Sequence, residues 1–249
     1  MTLEGDVAIV TGASRGMGRE IAERFTREGA RVVLTARSSD RLESIAAEAA
    51  GEMLPVAADV RSSDDVQHVV DTAIQRFGRI DTLVNNAAVG LLSLQSELKP
   101  VTDVTEAEWD TVIETNLRGP FLFTKYALAH MRDRESGNIV NVSSGYGKQG
   151  APNWAPYVTS KHGLEGLTKT TALECEDSGV NVNAITPGGS VNTGFWNTDR
   201  KRGHLPEEVR DKVQDSDTMN YAMVLLAAQG PDGVSGASLT SSEWEERLG

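Results

Sequence analysis

The 249-residue sequence predicts an α/β fold, a doubly wound parallel sheet of about seven strands with helices on both faces. Three observations carry that prediction. Short β-branched runs alternate with longer stretches of helical periodicity, as parallel strands joined by crossover helices require. The first run, Val7-Ala8-Ile9-Val10, has no polar alternate face, which suits a strand covered on both sides. A glycine-rich turn, Thr11 to Gly18, follows it directly and leads into a helical pattern.

The first helix is read over 16–28, ended by Gly29, which tolerates the left-handed conformation of a helix stop. Arg31 to Thr35 form the second strand and 40–50 the second helix. Met53 to Ala58 form the third strand, 63–77 a helix stopped at Gly78, and Ile80 to Val84 the fourth strand. Thr105 with Glu108 three residues on makes a capping pair. It opens a helix expected to run to about Arg134, kinked where Pro120 lacks an N–H for the helical ladder. Ile139 to Val142, a helix over 156–177 and Val180 to Ile185 continue the alternation. Residues 190–215 lack apolar periodicity and are expected to form a substrate lid. A helix near 217–228 and a short strand near 235–239 close the fold. With no repeat, linker or low-complexity segment, 1–249 reads as one dinucleotide-binding and catalytic domain.

Composition bounds the function. A net charge of −12 argues against a nucleic-acid or anionic-membrane surface, which needs clustered cations. The acidic, lysine-poor balance reads as a solvated surface in an ordinary cytosol before it reads as adaptation to high salt. One cysteine, Cys175, permits no internal disulfide. No apolar run reaches the ~20 residues of a membrane span, and the first residues show no signal-peptide pattern. A cytoplasmic protein is expected. His68, His130, His162 and His204 lie too far apart in sequence for a metal-ligand pattern.

The turn after the first strand suits a nucleotide pyrophosphate. Gly12, Gly16 and Gly18 allow a tight turn and a close backbone approach, and a helix N-terminus offers unpaired N–H groups to an anion. Ser14, Arg15 and Met17 complete that loop. Its G-x-x-x-G-x-G spacing differs from the G-x-G-x-x-G fingerprint. The end of the second strand distinguishes the two nicotinamide dinucleotides: an acid there would hold the ribose hydroxyls of NAD, whereas arginine accommodates the 2′-phosphate of NADP. Ala36-Arg37-Ser38 has no acid, and Arg15 adds a second cation, so NADP(H) is favoured over NAD(H).

Tyr157 and Lys161 fall at i and i+4 at the start of a predicted helix and so share one face. A free phenol titrates near 10. A neighbouring ammonium is expected to lower that value and make Tyr157 an acid/base for hydride transfer at an alcohol or ketone carbon.

With these residues in order, the chain resembles the short-chain dehydrogenase/reductase family over nearly its whole length, and the resemblance implies a Rossmann-type fold. Thr11 to Gly18 resembles the family's T-G-x-x-x-G-x-G, Asp59-Val60 its adenine-contacting pair, and Asn85-Asn86-Ala87-Ala88 its N-N-A-G with alanine last. Ser144 stands thirteen residues before Tyr157, as the family's catalytic serine does, with Ser143 as the alternative. Asn116 resembles the asparagine that holds a water against the lysine, and Pro187-Gly188 the turn over the nicotinamide. The resemblance implies a catalytic set of Asn116, Ser144, Tyr157 and Lys161. It also implies cofactor contacts from Asp59, Val60, Asn85, Ala87, Pro187 and Gly188, besides the glycine loop, Arg37, Ser38, Tyr157 and Lys161. Two segments depart from the pattern: one extra residue follows Pro187-Gly188, and the frequent D-G-G near the C-terminus is replaced by Gly236 to Thr240 leading into Ser241-Ser242-Glu243-Trp244.

Substrate contacts are expected from Ser144, Tyr146, Trp154, Phe195 and Trp196, whose aromatic rings suit an apolar or cyclic substrate. Lys148, Arg200, Lys201 and Arg202 read as solvated loop before they read as an anion site. The predicted function is an NADP(H)-dependent carbonyl reductase or alcohol dehydrogenase. The alternatives are a dinucleotide-sensing or scaffold protein without turnover, an NAD-preferring dehydrogenase, and dehydratase or epimerase chemistry on the same fold. A small-molecule alcohol or ketone is the expected partner. The resemblance also suggests a homodimer or homotetramer through the helices near 105–134 and 156–177.

Overall fold

A computed structural model of the chain describes residues 1–191 and 213–249. Seven parallel strands form one sheet in the order β3-β2-β1-β4-β5-β6-β7. They are β1 (Val7–Thr11), β2 (Arg31–Ala36), β3 (Met53–Ala57), β4 (Thr82–Asn85), β5 (Gly137–Val142), β6 (Val180–Thr186) and β7 (Ser238–Thr240). Chain order reverses between β1 and β4, and there the crossovers to the two halves of the sheet leave on opposite faces.

The helices divide accordingly. On one face α1 (Gly16–Arg27), α2 (Ser39–Glu48), α7 (Asn220–Ala227) and α8 (Ser241–Leu248) bury Ile21, Phe25, Leu42, Met223 and Trp244 against Val10, Leu34 and Val140. On the other, α3 (Ser63–Phe77), α5 (Gly119–Asp133) and α6 (Ala155–Glu174) bury Val66, Val70, Phe123, Met131 and Ala172 against Ile9, Leu83 and Ile139. Because both faces are covered, β1 is buried at every position, which is why it reads as an unbroken apolar run.

The long helix near Pro120 is more specific than a kink. It begins as α4 (Glu106–Ile113), where Thr105 and Glu108 form the expected reciprocal cap. It then widens into a π-helical turn over Glu114–Arg118 before resuming as α5. Pro120 has no N–H to give to the carbonyl four residues back, so the irregularity falls just before the proline. Asn116 lies within that turn and is fully buried.

The C-terminal segment is a capped helix. Thr240 caps α8, its hydroxyl accepting from Glu243 N while the Glu243 carboxylate accepts from Thr240 N. Trp244 Nε1 donates to the Ala184 carbonyl of β6 and locks the helix onto the sheet. Most of the expected lid, with Phe195 and Trp196, lies outside the described residues. Its two ends meet: Gln214 N donates to Ser190 O at 2.8 Å, and Val191 bridges Gln214.

Candidate active site

At the reversal point the carboxyl ends of the strands open on a cleft of about 750 Å³. Its base is the turn from β1 into α1. A Cβ on Gly12, whose φ is +68°, would lie 2.9 Å from Ala87 Cα, and one on Gly18 would lie 2.4 Å from the Gly12 carbonyl oxygen. Only glycine lets the loop, β4 and α1 close up this tightly. No acidic residue occupies the first turn of α1, so its N-terminal dipole is uncompensated toward the cleft. Ser14, Arg15, Gly16 and Met17 line this end, as do Arg37 and Ser38 at the tip of β2. Asp59 and Val60 line the adjacent wall. The Asp59 carboxylate accepts from Arg61 at 2.7 Å, and that contact holds it below the usual carboxylate range. Among the described residues, no ion pair engages Arg15, Arg37 or Arg41. A bare helix N-terminus flanked by three uncommitted guanidinium groups fits a dinucleotide carrying an extra phosphate.

One expected cofactor residue is placed elsewhere. Asn85 does not face the cleft; it is buried in register with Asn141, donating to that residue's Oδ1 at 2.8 Å. Its neighbour Asn86 lines the cleft in its stead and donates to the Thr11 carbonyl at 2.9 Å, tying the two strand ends together. Strand alternation decides between the two asparagines: the last residue of β4 points into the helix layer and the next one points out. Ala87, Pro187 and Gly188 line the cleft.

The catalytic candidates gather on the far side. Ser144 stands two residues past the end of β5 and caps a 3₁₀ turn (Gly145–Gly147) through Tyr146 N. Its hydroxyl is hydrogen-bonded to the Tyr157 phenol. Ser143, the sequence alternative, is committed elsewhere: its hydroxyl donates at 2.5 Å to the buried carboxylate of Glu165. Tyr157 lies in the first turn of α6, and Lys161 one turn on is only 3% exposed. The Lys161 ammonium donates to the Val142 carbonyl at 2.7 Å and sits 5.7 Å from the Tyr157 ring centroid.

Burial governs both titrations. It pushes Tyr157 up to about 12, against the Ser144 hydrogen bond, with Tyr146 adding to the rise. The same loss of water pushes Lys161 down to about 8, while Glu165 pulls it back up. Among the chain's own groups Ser144 lowers the phenol, and desolvation outweighs it.

Asn116 of the π turn spans two elements. Its Oδ1 accepts from Val89 N at 2.8 Å, and its Nδ2 donates to Val89 O at 2.8 Å and Ser160 Oγ at 3.0 Å. The amide thus pins the cleft wall at Val89 to α6 at Ser160, whose own hydroxyl donates to the Tyr157 carbonyl.

A profile of the family described as short chain dehydrogenase matches residues 6–203. The chain belongs to the short-chain dehydrogenases. It is 39% identical over 214 residues to the 3-oxoacyl-[acyl-carrier-protein] reductase FabG of Thermotoga maritima, covering 85% of this chain and 82% of that one. To the protein of the same name from Staphylococcus aureus it is 36% identical over 230 residues, covering 88% and 90%. Among solved structures, levodione reductase superposes with a TM-score of 0.85 at 30% identity, covering 98% of this chain and 99% of that one. A metagenomic short-chain oxidoreductase in complex with NADP gives 0.80 at 33% identity, covering 96% and 98%.

In this short-chain dehydrogenase the aromatic wall is assembled from two segments. Tyr146 and Trp154 both line the cleft, with ring centroids 5.4 Å apart, and Trp154 meets the Tyr157 ring edge-on at 5.8 Å. Arg41, Thr186 and Glu165 went unread in the sequence, and Asn86 was read only as part of its motif. Arg41 carried a signal, standing four residues after Arg37 where a helix would turn it to the same side. Glu165 carried one too, at i+4 from Lys161.

Proposed function

We infer that this dehydrogenase works as an NADP(H)-dependent reductase, converting a ketone to a secondary alcohol. The observation that carries this reading is the gathering of Ser144, Tyr157 and the buried Lys161 on one wall of the switch-point cleft, with the phenol hydrogen-bonded to Ser144. A protonated Tyr157 is an acid ready to give its proton to the oxygen of a ketone as negative charge develops there. Ser144 donates a hydrogen bond to the same oxygen. The Lys161 ammonium, largely charged at neutral pH, opposes the phenolate charge left by proton transfer. The bound nicotinamide would supply the hydride, held by the Gly12–Gly18 loop, Asp59, Val60, Ala87, Pro187 and Gly188, with the 2′-phosphate at Arg37, Arg41 and Arg15. The NADP complex of the metagenomic relative supports that preference.

Two substrate classes are supported. The curated relatives point to a 3-oxoacyl thioester. The Tyr146–Trp154 wall, and the likeness to levodione reductase, support a compact cyclic ketone. In either case we place the protein in a reducing cytoplasm. We also place a second copy against α5 and α6, which present Phe121 and Leu173 to solvent at 48% and 69% exposure.

The test is oxidation of NADPH or NADH by the purified protein with acetoacetyl thioesters, cyclic diketones and acyclic ketones. NADPH-dependent turnover of at least one class is expected. Tyr157→Phe should lose about 10²–10⁴ in kcat while NADPH still perturbs tryptophan fluorescence. A phenylalanine variant with most of the original rate would overturn the acid assignment.

A further inference from the structure

Glu165 is a buried acid that the reaction as derived does not use. It is 5% exposed, one helical turn beyond Lys161 on the inner face of α6. One carboxylate oxygen accepts from two hydroxyls remote in sequence, Ser143 just past the end of β5 at 2.5 Å and Ser238 of β7 at 2.9 Å. The other oxygen is buried with no hydrogen-bond partner among the described residues. Leaving a carboxylate half satisfied in the interior is costly unless a nearby positive charge compensates it. The 3₁₀ turn after Ser144 closes over the cluster: a Cβ on Gly147 would lie 2.9 Å from Ser143 Oγ, 3.1 Å from Glu165 Cγ and 3.2 Å from the Lys161 carbonyl. Water is thereby kept from the carboxylate and its neighbours.

We propose that Glu165 is a positioning residue with two effects: its charge keeps the Lys161 ammonium protonated during turnover, and its two hydroxyl contacts turn Ser143 away so that Ser144 alone faces the substrate oxygen. The proposal rests on the reading of Ser144, Tyr157 and Lys161 as the reacting group.

The surroundings leave Glu165 as the charge that acts. Tyr157 is the other titratable group near Lys161 on α6, and Tyr146 stands on the 3₁₀ turn with Lys148 just after it. Lys148 is drawn to the Ser238 carbonyl at 2.7 Å. Strands β6 and β7 carry no titratable residue. On the opposite side α4 and the π turn bring Glu106, Glu108, Asp110, Glu114 and Arg118, while Glu165 is the charged group whose field bears on Lys161. An acid one helical turn away in a dry setting offsets part of the burial that strips the lysine of its proton.

The decisive measurement is the titration of the Lys161 side chain by NMR in protein carrying ¹³C-labelled lysine, for the parent and Glu165→Gln, alongside the pH profile of kcat. Glutamine keeps the shape and an acceptor oxygen and removes the charge. The Lys161 midpoint should fall by about one pH unit, and the alkaline limb of kcat should move down with it. Glu165→Asp, which retains charge, should leave the midpoint near that of the parent. Glu165→Leu with Ser143→Ala removes the acid together with a hydroxyl it would strand, and serves if the glutamine variant does not fold. An unmoved midpoint in the charge-free variant overturns the proposal. A midpoint that moves while kcat ignores it leaves the electrostatic link standing and overturns instead the reading of Lys161 as part of the reacting group.

Discussion

Replacing Lys161 by methionine separates catalysis from stability and gives the burial of this lysine a measurable size. An ammonium that titrates at 10.5 in the unfolded chain and at about 8 in the fold disfavours folding at neutral pH by about 3 kcal/mol, at roughly 1.4 kcal/mol per pH unit. Because the folded value is the lower one, the unfolded chain binds this proton more tightly between pH 8 and 10.5. The contribution of Lys161 to stability therefore rises with pH through that window and is least favourable below it. Lys161→Met keeps the aliphatic stem, removes the titration, and leaves the Val142 carbonyl without its donor. That lost hydrogen bond adds an offset that does not vary with pH. Subtracting the variant's unfolding free energy from the parent's at each pH cancels every shared titration. The difference should shift by about 3 kcal/mol in the parent's favour between pH 7 and pH 10.5. In thermal unfolding this corresponds to a relative change of about 6–12 °C for a chain of this size. Guanidinium unfolding followed by tryptophan fluorescence at half-unit pH steps measures it. A difference that stays flat across the window would refute the claim that Lys161 is held dry in the fold.

Two further substitutions probe the cofactor end. Gly18→Ala places a methyl 2.4 Å from the Gly12 carbonyl oxygen, so the turn must open; NADPH affinity by fluorescence titration should fall at least about tenfold, with a loss of stability of about 1–3 kcal/mol. Unchanged binding would mean the turn does not face the dinucleotide. Arg37→Ala removes a charge-assisted contact worth about 1.5–3 kcal/mol. The KM for NADPH should rise about tenfold or more while that for NADH holds, and equal effects on both would argue against a 2′-phosphate site there.

The strands were legible because parallel sheets covered on both faces must be apolar at every position, and β1, β5 and β6 are buried throughout. The α8 helix was legible in principle, since Thr240 and Glu243 have the same capping spacing as Thr105 and Glu108. The π turn was only half legible. Pro120 announces a broken ladder, but whether the chain bends or widens depends on Asn116 finding partners at Val89 and Ser160, which are remote in sequence.

The sequence by itself determined the order of strands and helices, the glycine turn, the cations at the tip of β2 and the i, i+4 pairing of Tyr157 with Lys161, because each is a local pattern of a few residues. Tertiary structure alone decided which of two adjacent asparagines lines the cleft and which of two adjacent serines gives its hydroxyl to Tyr157, since that depends on the register of β4 and on a carboxylate arriving from α6. It alone decided the titration of Tyr157 and Lys161 as well. The spacing places an ammonium near a phenol, but the sign of the phenol's shift follows from how much water the packed chain removes from both, and that is a property of the whole fold.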